Sequence, residues 1–140
     1  MKETSPARLY ALVVGGVLVV AGVIGFFYNT DFSTGSDVPR DAVFGILDVN
    51  GWHNVVHLAT GVLGLVAAAS LVTSRVYALG LGVVYLAVAA WGFAVGDGEV
   101  IASLIPINTP DSFLHFALGV AGVAAGLASG AGAPAARATS

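Results

Sequence analysis

The sequence predicts an all-α protein, a four-transmembrane-helix bundle made of two tandem, parallel two-helix repeats. Three observations predict it. Of 140 residues, 57% are hydrophobic and only 9% charged, where ordinary soluble domains carry about 25% charged residues. Four stretches, residues 9–28, 51–74, 76–96 and 109–130, hold almost no charge, with Asp111 alone near the start of the last. The chain also repeats itself. Arg8-Leu9-Tyr10-Ala11-Leu12 returns 67 residues later as Arg75-Val76-Tyr77-Ala78-Leu79, and Asn50, His57, Gly61 and Gly64 return 58 residues later as Asn108, His115, Gly119 and Gly122.

Each apolar stretch reaches the ~20 residues that cross a ~30 Å hydrocarbon core at a rise of ~1.5 Å per residue. Stretches of that length are too long for strands. The first, residues 9–28, follows Lys2 and Arg8 as a signal peptide would. It is longer than the ~7–15 residues of a signal-peptide core, and Phe26-Phe27-Tyr28-Asn29 offers no small-residue cleavage site, so a retained helix is expected. Residues 29–40 are polar, with Gly35 and Pro39, and read as a flexible outer loop. They hold the nine residues by which the first repeat exceeds the second.

The short apolar runs 42–47 and 100–105 precede the two Asn residues and cannot span; they are expected to dip into the interface. The second and fourth helices begin behind Asn50 and Asn108, since an Asn side-chain oxygen accepts from an unpaired helix N–H. Pro110 in the first turn and Asp111 at its end strengthen the second of these caps. The third helix is expected to follow a turn at Ser74-Arg75. Residues 131–140 are Ala-rich with a single Arg and read as a frayed tail. The whole chain, 1–140, is thus one membrane domain, with repeat one at 8–73 and repeat two at 75–130. Two passes per repeat restore the starting direction, so a pseudo-two-fold axis along the membrane normal should relate the copies.

Lys2, Arg8, Arg75 and Arg137 fall on one side of such a chain and Arg40 alone on the other. Basic residues mark the cytoplasmic side, which predicts a multi-pass protein of the cell membrane with both termini in the cytoplasm. All three histidines and seven of the eight acidic residues then lie toward the outer face. The absence of cysteine removes disulfides and thiolate ligands. Tyr10 and Tyr77 near one boundary, and Tyr28, Trp52 and Trp91 near the other, suit interfacial aromatic belts.

His57 and His115 lie seven residues past their caps, roughly 10 Å into the span. Ionisable groups at that depth face the bundle interior and are candidate sites. Below them run stripes of small residues at helical spacing. One stripe is His53, His57, Gly61 and Gly64; the other is Asp111, His115, Gly119 and Gly122. The glycines permit close helix packing, and they equally leave room for a flat cofactor.

The paired pattern, Asn50-Gly51-Trp52-His53 with His57 and Gly61, and Asn108-Thr109-Pro110-Asp111 with His115 and Gly119, resembles DUF4383, a family of small four-helix bacterial membrane proteins of unknown function. The resemblance runs from about Arg8 to Gly130. It implies the four-helix topology and the importance of these positions, and it implies no activity. Ser112 stands where the family often carries Asn, which speaks against a catalytic role there.

The expected role is that of a structural or accessory membrane subunit, in which His57 and His115 hydrogen-bond across the repeat axis with Asn54, Ser112 or loop carbonyls, and no cofactor is bound. Its partners would be the lipid bilayer and another membrane protein or a second copy. One alternative is a zinc or copper site of His53, His57, Asp111 and His115, three imidazoles and a carboxylate suited to tetrahedral coordination. Another is a haem b electron carrier with His57 and His115 as axial ligands. No catalytic residues are assigned: no Ser/His/Asp set has a recognisable context and no phosphate-binding glycine loop is present. The acidic outer face and scarce basic residues exclude nucleic acid as a partner.

Overall fold

A computed structural model describes residues 4–130. Lys2, Arg137 and the tail at 131–140 lie outside the described residues. The order is α1 (Pro6–Phe26), β1 (Asp41–Val43), β2 (Leu47–Val49), α2 (Gly51–Ala67), α3 (Leu71–Val95), β3 (Val100–Ile101), β4 (Ile105–Pro106) and α4 (Thr109–Ala128). Helix dominates, and α1, α3 and α4 are long and apolar enough to cross a membrane. The chain is accordingly a membrane protein. Its outward surface agrees: Val17, Leu63 and Val76 are each more than half exposed, as lipid-facing residues of a bundle without a polar face must be.

Side-chain oxygens start all four helices. Ser5 accepts from Arg8 N–H, with Pro6 in the first turn of α1; Asn50, Ser70 and Asn108 accept from the N–H groups of His53, Thr73 and Asp111. Ser70 shifts one expectation. The turn between α2 and α3 lies at 68–70 rather than at Ser74-Arg75, and α2 is 17 residues long. Ser74 is fully buried inside α3, where its hydroxyl donates to Ser70 O and Ala67 O and so needs no water.

The bundle is built from two close pairs. In α1–α2, a Cβ placed on Gly61 would stand 2.6 Å from Val19 N and 2.7 Å from Gly15 O. In α3–α4, a Cβ on Gly119 would stand 2.9 Å from Leu86 N and 3.0 Å from Gly82 O. Tyr77 covers Gly64 and Tyr10 covers Gly122 in the same manner. These four glycines therefore seat neighbouring backbones and rings, and they leave no slot for a flat cofactor. Between the pairs, Tyr10, Val14 and Leu18 of α1 meet Ala78, Leu81 and Tyr85 of α3 in the core.

The two short apolar runs are antiparallel hairpins, β1–β2 and β3–β4. Their turns use positive φ at Phe44 (52°) and Gly45 (71°), and at Ala102 (52°) and Ser103 (58°). Three of these four residues lack the Asn-Gly chemistry that announces a hairpin in sequence. Residues 29–40 are also tied down rather than free. Gly35 N–H donates to Ser103 O at 2.9 Å, Trp52 Nε1 donates to Phe32 O, and Val38 is buried. The Gly35–Ser103 bond ties the longer loop to the second hairpin.

Candidate functional site

The caps do double duty. While Asn50 Oδ1 holds the start of α2, its Nδ2 donates to Leu104 O; Asn108 Oδ1 holds α4, and its Nδ2 donates to Ile46 O at 2.8 Å. Each helix start is thereby clasped to the tip region of the opposite hairpin. The clasp brings the first turns of α2 and α4 side by side under the hairpins, and the histidines follow within the next two turns.

His53, His57 and His115 converge. One ring nitrogen from each lies within 4.8 Å of the other two. The ring centres stand 4.4 Å apart for His53–His57, 6.2 Å for His53–His115 and 6.4 Å for His57–His115. His53 and His115 are buried and His57 is partly so. The tautomer of His53 follows from its partner. Its Nδ1 sits 2.9 Å from Asp48 O, and a carbonyl only accepts, so Nδ1 carries the proton and Nε2 keeps a free lone pair.

Asp111 does not join the three imidazoles as a fourth close group. Its Oδ2 instead accepts from Asp48 N–H at 3.1 Å. One residue of β2, Asp48, thus connects the carboxylate on α4 to the imidazole on α2 through its backbone N–H and C=O. The side chains expected to pair with the histidines do not do so. Asn54 Nδ2 donates to Asn29 O and Ser112 Oγ to Asn108 O, while Asn54 Oδ1 and His115 Nδ1 are each buried with no partner.

A residue that sequence reasoning passed over completes the site. Tyr85, on α3, places its ring 4.8 Å from that of His115, and its buried hydroxyl has no hydrogen-bond partner. Thr60 is near enough to influence that hydroxyl, but falls short of hydrogen-bond geometry and commits its own proton to Val56 O and His57 O. The available signal was a polar tip at mid-span: Tyr85 stands 67 residues after Leu18, the same offset that relates Tyr77 to Tyr10. All three histidines, Asp111 and Tyr85 line one cavity of about 510 Å³ between α1 and α4.

A family model described as "Domain of unknown function (DUF4383)" matches residues 8–128. The chain belongs to the DUF4383 family. The DUF4383 match takes in α1 from Arg8 onward, the other three helices, both hairpins and every residue of the histidine cavity. Over 48 residues the chain is also 40% identical to a protein titled "Translationally-controlled tumor protein homolog" from Scophthalmus maximus. That stretch is 34% of this chain and spans 28% of the other protein's length, too little of either to carry a family assignment. No solved structure matches.

Proposed function

We propose that this DUF4383 chain is a four-pass protein of the cell membrane, a tandem duplication with both termini cytoplasmic, that binds a transition-metal ion through His53, His57 and His115 near its outer face. The convergence of three imidazole nitrogens within 4.8 Å carries the reading. Zinc–nitrogen bonds of ~2.0–2.1 Å in a tetrahedron require nitrogens roughly 3.3 Å apart. Binding would therefore draw the nitrogens together by up to about 1.5 Å. Imidazole suits Zn²⁺ and Cu²⁺ alike, and three histidines leave a fourth coordination position free.

Further details support a metal over packing alone. The His53 Nδ1–H bond to Asp48 O holds the ring as outer carbonyls hold metal-binding histidines, and it leaves Nε2 as the nitrogen free to take an ion. A structural pair would be expected to satisfy its own nitrogens, whereas His115 Nδ1 has no partner. Haem is disfavoured because the His53 ring, 4.4 Å from His57 and 6.2 Å from His115, occupies space a macrocycle between those two rings would need.

The fourth pass is supported by α2, whose 17 residues carry no Asp, Glu, Lys or Arg and reach about 25 Å, the short end of what spans. The duplication is supported by the two sequence offsets and by the matched glycine seats, hairpins and cap clasps. Seats at Gly15–Gly61 and Gly82–Gly119 stand at those same offsets.

The test is metal analysis and an absorption spectrum of protein purified in detergent and equilibrated with Zn²⁺ or Cu²⁺. One ion per chain and no Soret band are expected, with the ion lost in the variant carrying His53→Ala, His57→Ala and His115→Ala. Background metal in the wild type, or equal metal in that variant, would overturn the reading.

A further inference from the structure

The cavity that holds the histidines extends well beyond them. It follows α1 from Val13 to Ile24, eleven residue steps or about 16 Å of helix. Its rim includes Val13, Val17 and Val20 of α1 and Leu114 of α4, all exposed on the outer side of the bundle. The cleft therefore opens sideways, on the surface that faces lipid. Its polar groups are few, and four of them, His53, His57, His115 and Tyr85, gather in one cluster with Asp111 also on the wall; the remainder of the lining is apolar.

We infer that this cleft takes an amphiphilic lipid-soluble molecule from the bilayer, with its apolar body between α1 and α4 and a single hydroxyl or carbonyl oxygen at the histidine end. The placement of that oxygen on the metal rests on the metal reading above. Its placement beside Tyr85 does not.

Three features select this class. A water-soluble polar ligand would exchange its hydration for apolar walls, at a cost the few polar groups cannot offset. A plain hydrocarbon would leave the Tyr85 hydroxyl and His115 Nδ1 unpartnered, as they are now; both side chains are more than nine-tenths buried and line the cleft. An oxygen head group accepts from Tyr85, and the ion of the metal reading would answer His115 and offer its open coordination position to the same oxygen. The volume, about 510 Å³, falls within the roughly 300–1,000 Å³ of small-molecule sites.

Gly16 supplies the test. It lines the cleft, and a Cβ built there meets nothing within 4 Å. Gly16→Phe should fill the cleft without disturbing the α1–α2 seat at Gly15. Ala21→Phe, on the same wall, serves if the first variant does not fold. Zinc-loaded protein in phosphatidylcholine nanodiscs is exposed to a diazirine-bearing long-chain alcohol or to the matching diazirine alkane, and labelled peptides are mapped. Labelling by the alcohol is expected to concentrate on residues 13–24 and 111–118. It should drop about tenfold in the plugged variant while zinc stoichiometry holds. Tyr85→Phe should lower alcohol labelling about tenfold, the worth of one buried hydrogen bond, and leave alkane labelling unchanged.

Labelling spread evenly over lipid-facing helices, or unmoved in a folded plugged variant, overturns the inference even if zinc binds. Plug-sensitive alcohol labelling in a protein that binds no zinc supports the cleft and defeats the metal reading alone. An alcohol and an alkane that label equally, with no response to Tyr85→Phe, defeat the oxygen head group.

Discussion

Replacing Asp111 separates a residue that binds metal from one that positions a ligand. Asp111 Oδ2 holds Asp48 N–H at 3.1 Å, and Asp48 O holds His53 Nδ1–H at 2.9 Å. Asp111→Ala removes the acceptor, frees β2 to move and loosens the orientation of the His53 ring. Losing such an orienting partner costs about 10–100-fold in metal affinity, or about 1.4–2.7 kcal/mol. Asp111→Asn is different. Its amide oxygen still accepts from Asp48 N–H, so affinity should fall only by the small amount due to the lost charge. The helix cap survives both changes because Asn108 Oδ1 accepts from the backbone N–H of residue 111. Competition for Zn²⁺ against a chromogenic chelator gives the affinities, with a thermal melt to verify folding. If Asn and Ala weaken binding equally, Asp111 is a ligand and the positioning argument is wrong. If Ala changes nothing, the Asp111 bond to the Asp48 backbone does not orient His53 at all.

Gly61→Ala and Gly119→Ala should each destabilise by ~1–3 kcal/mol, as overpacked contacts do, because the new methyl meets backbone at 2.6 Å and 2.9 Å. Gly80→Ala, with nothing within 4 Å, should be neutral in the same detergent melt; equal effects at all three would refute the seats. On the outer surface, hydrogen bonds from the Thr109 side chain and backbone hold the Asp97 carboxyl below its ordinary pKa of 3.8. A depressed pKa stabilises the fold above the ordinary value and the effect fades as pH falls through the folded one. The advantage of wild type over Asp97→Asn should thus be full at about pH 6 and shrink below about pH 4; an advantage that grows in acid would contradict it. Single cysteines at Ser36 and Gly98 should react with an impermeant reagent added outside cells, and one at Ser70 should not. Labelling at Ser70 would reverse the proposed orientation.

How much was legible follows from which force sets each feature. Lipid forces the backbone to satisfy its own hydrogen bonds, so the helices are visible as uncharged runs, and Asn50 and Asn108 mark two of their starts without ambiguity. The α2–α3 turn was misplaced because Ser74 reads as a breaker in sequence, while inside the helix its hydroxyl is answered by Ser70 O and Ala67 O. The hairpins were missed because Phe44, Ala102 and Ser103 adopt positive φ, which tertiary clasps enforce and local propensity does not announce. His53, His57 and His115 were singled out by spacing alone. That the three rings gather without Asp111, and that Tyr85 reaches them from α3, depends on helix rotation, which no pattern within one helix specifies.

Within the proposed duplication, symmetry is kept and broken in different places. Tyr10 and Tyr77 match, donating to Leu118 O and Thr60 O, which themselves stand 58 residues apart. Asn50 and Asn108 match as caps. These pairs pack helices, a task both copies share. The pair Asn54 and Ser112 differs for a local reason, since Asn54 Nδ2 anchors Asn29, the start of the longer loop. Two other differences, His53 against Asp111 and Leu18 against Tyr85, both line the α1–α4 cleft. The packing that the two copies share does not by itself account for either difference. A single-sided site needs both: one copy supplies the third imidazole and an apolar wall, and the other supplies the carboxylate that braces it and the hydroxyl that faces it. The divergence accordingly falls where a ligand on one side of the axis would demand it.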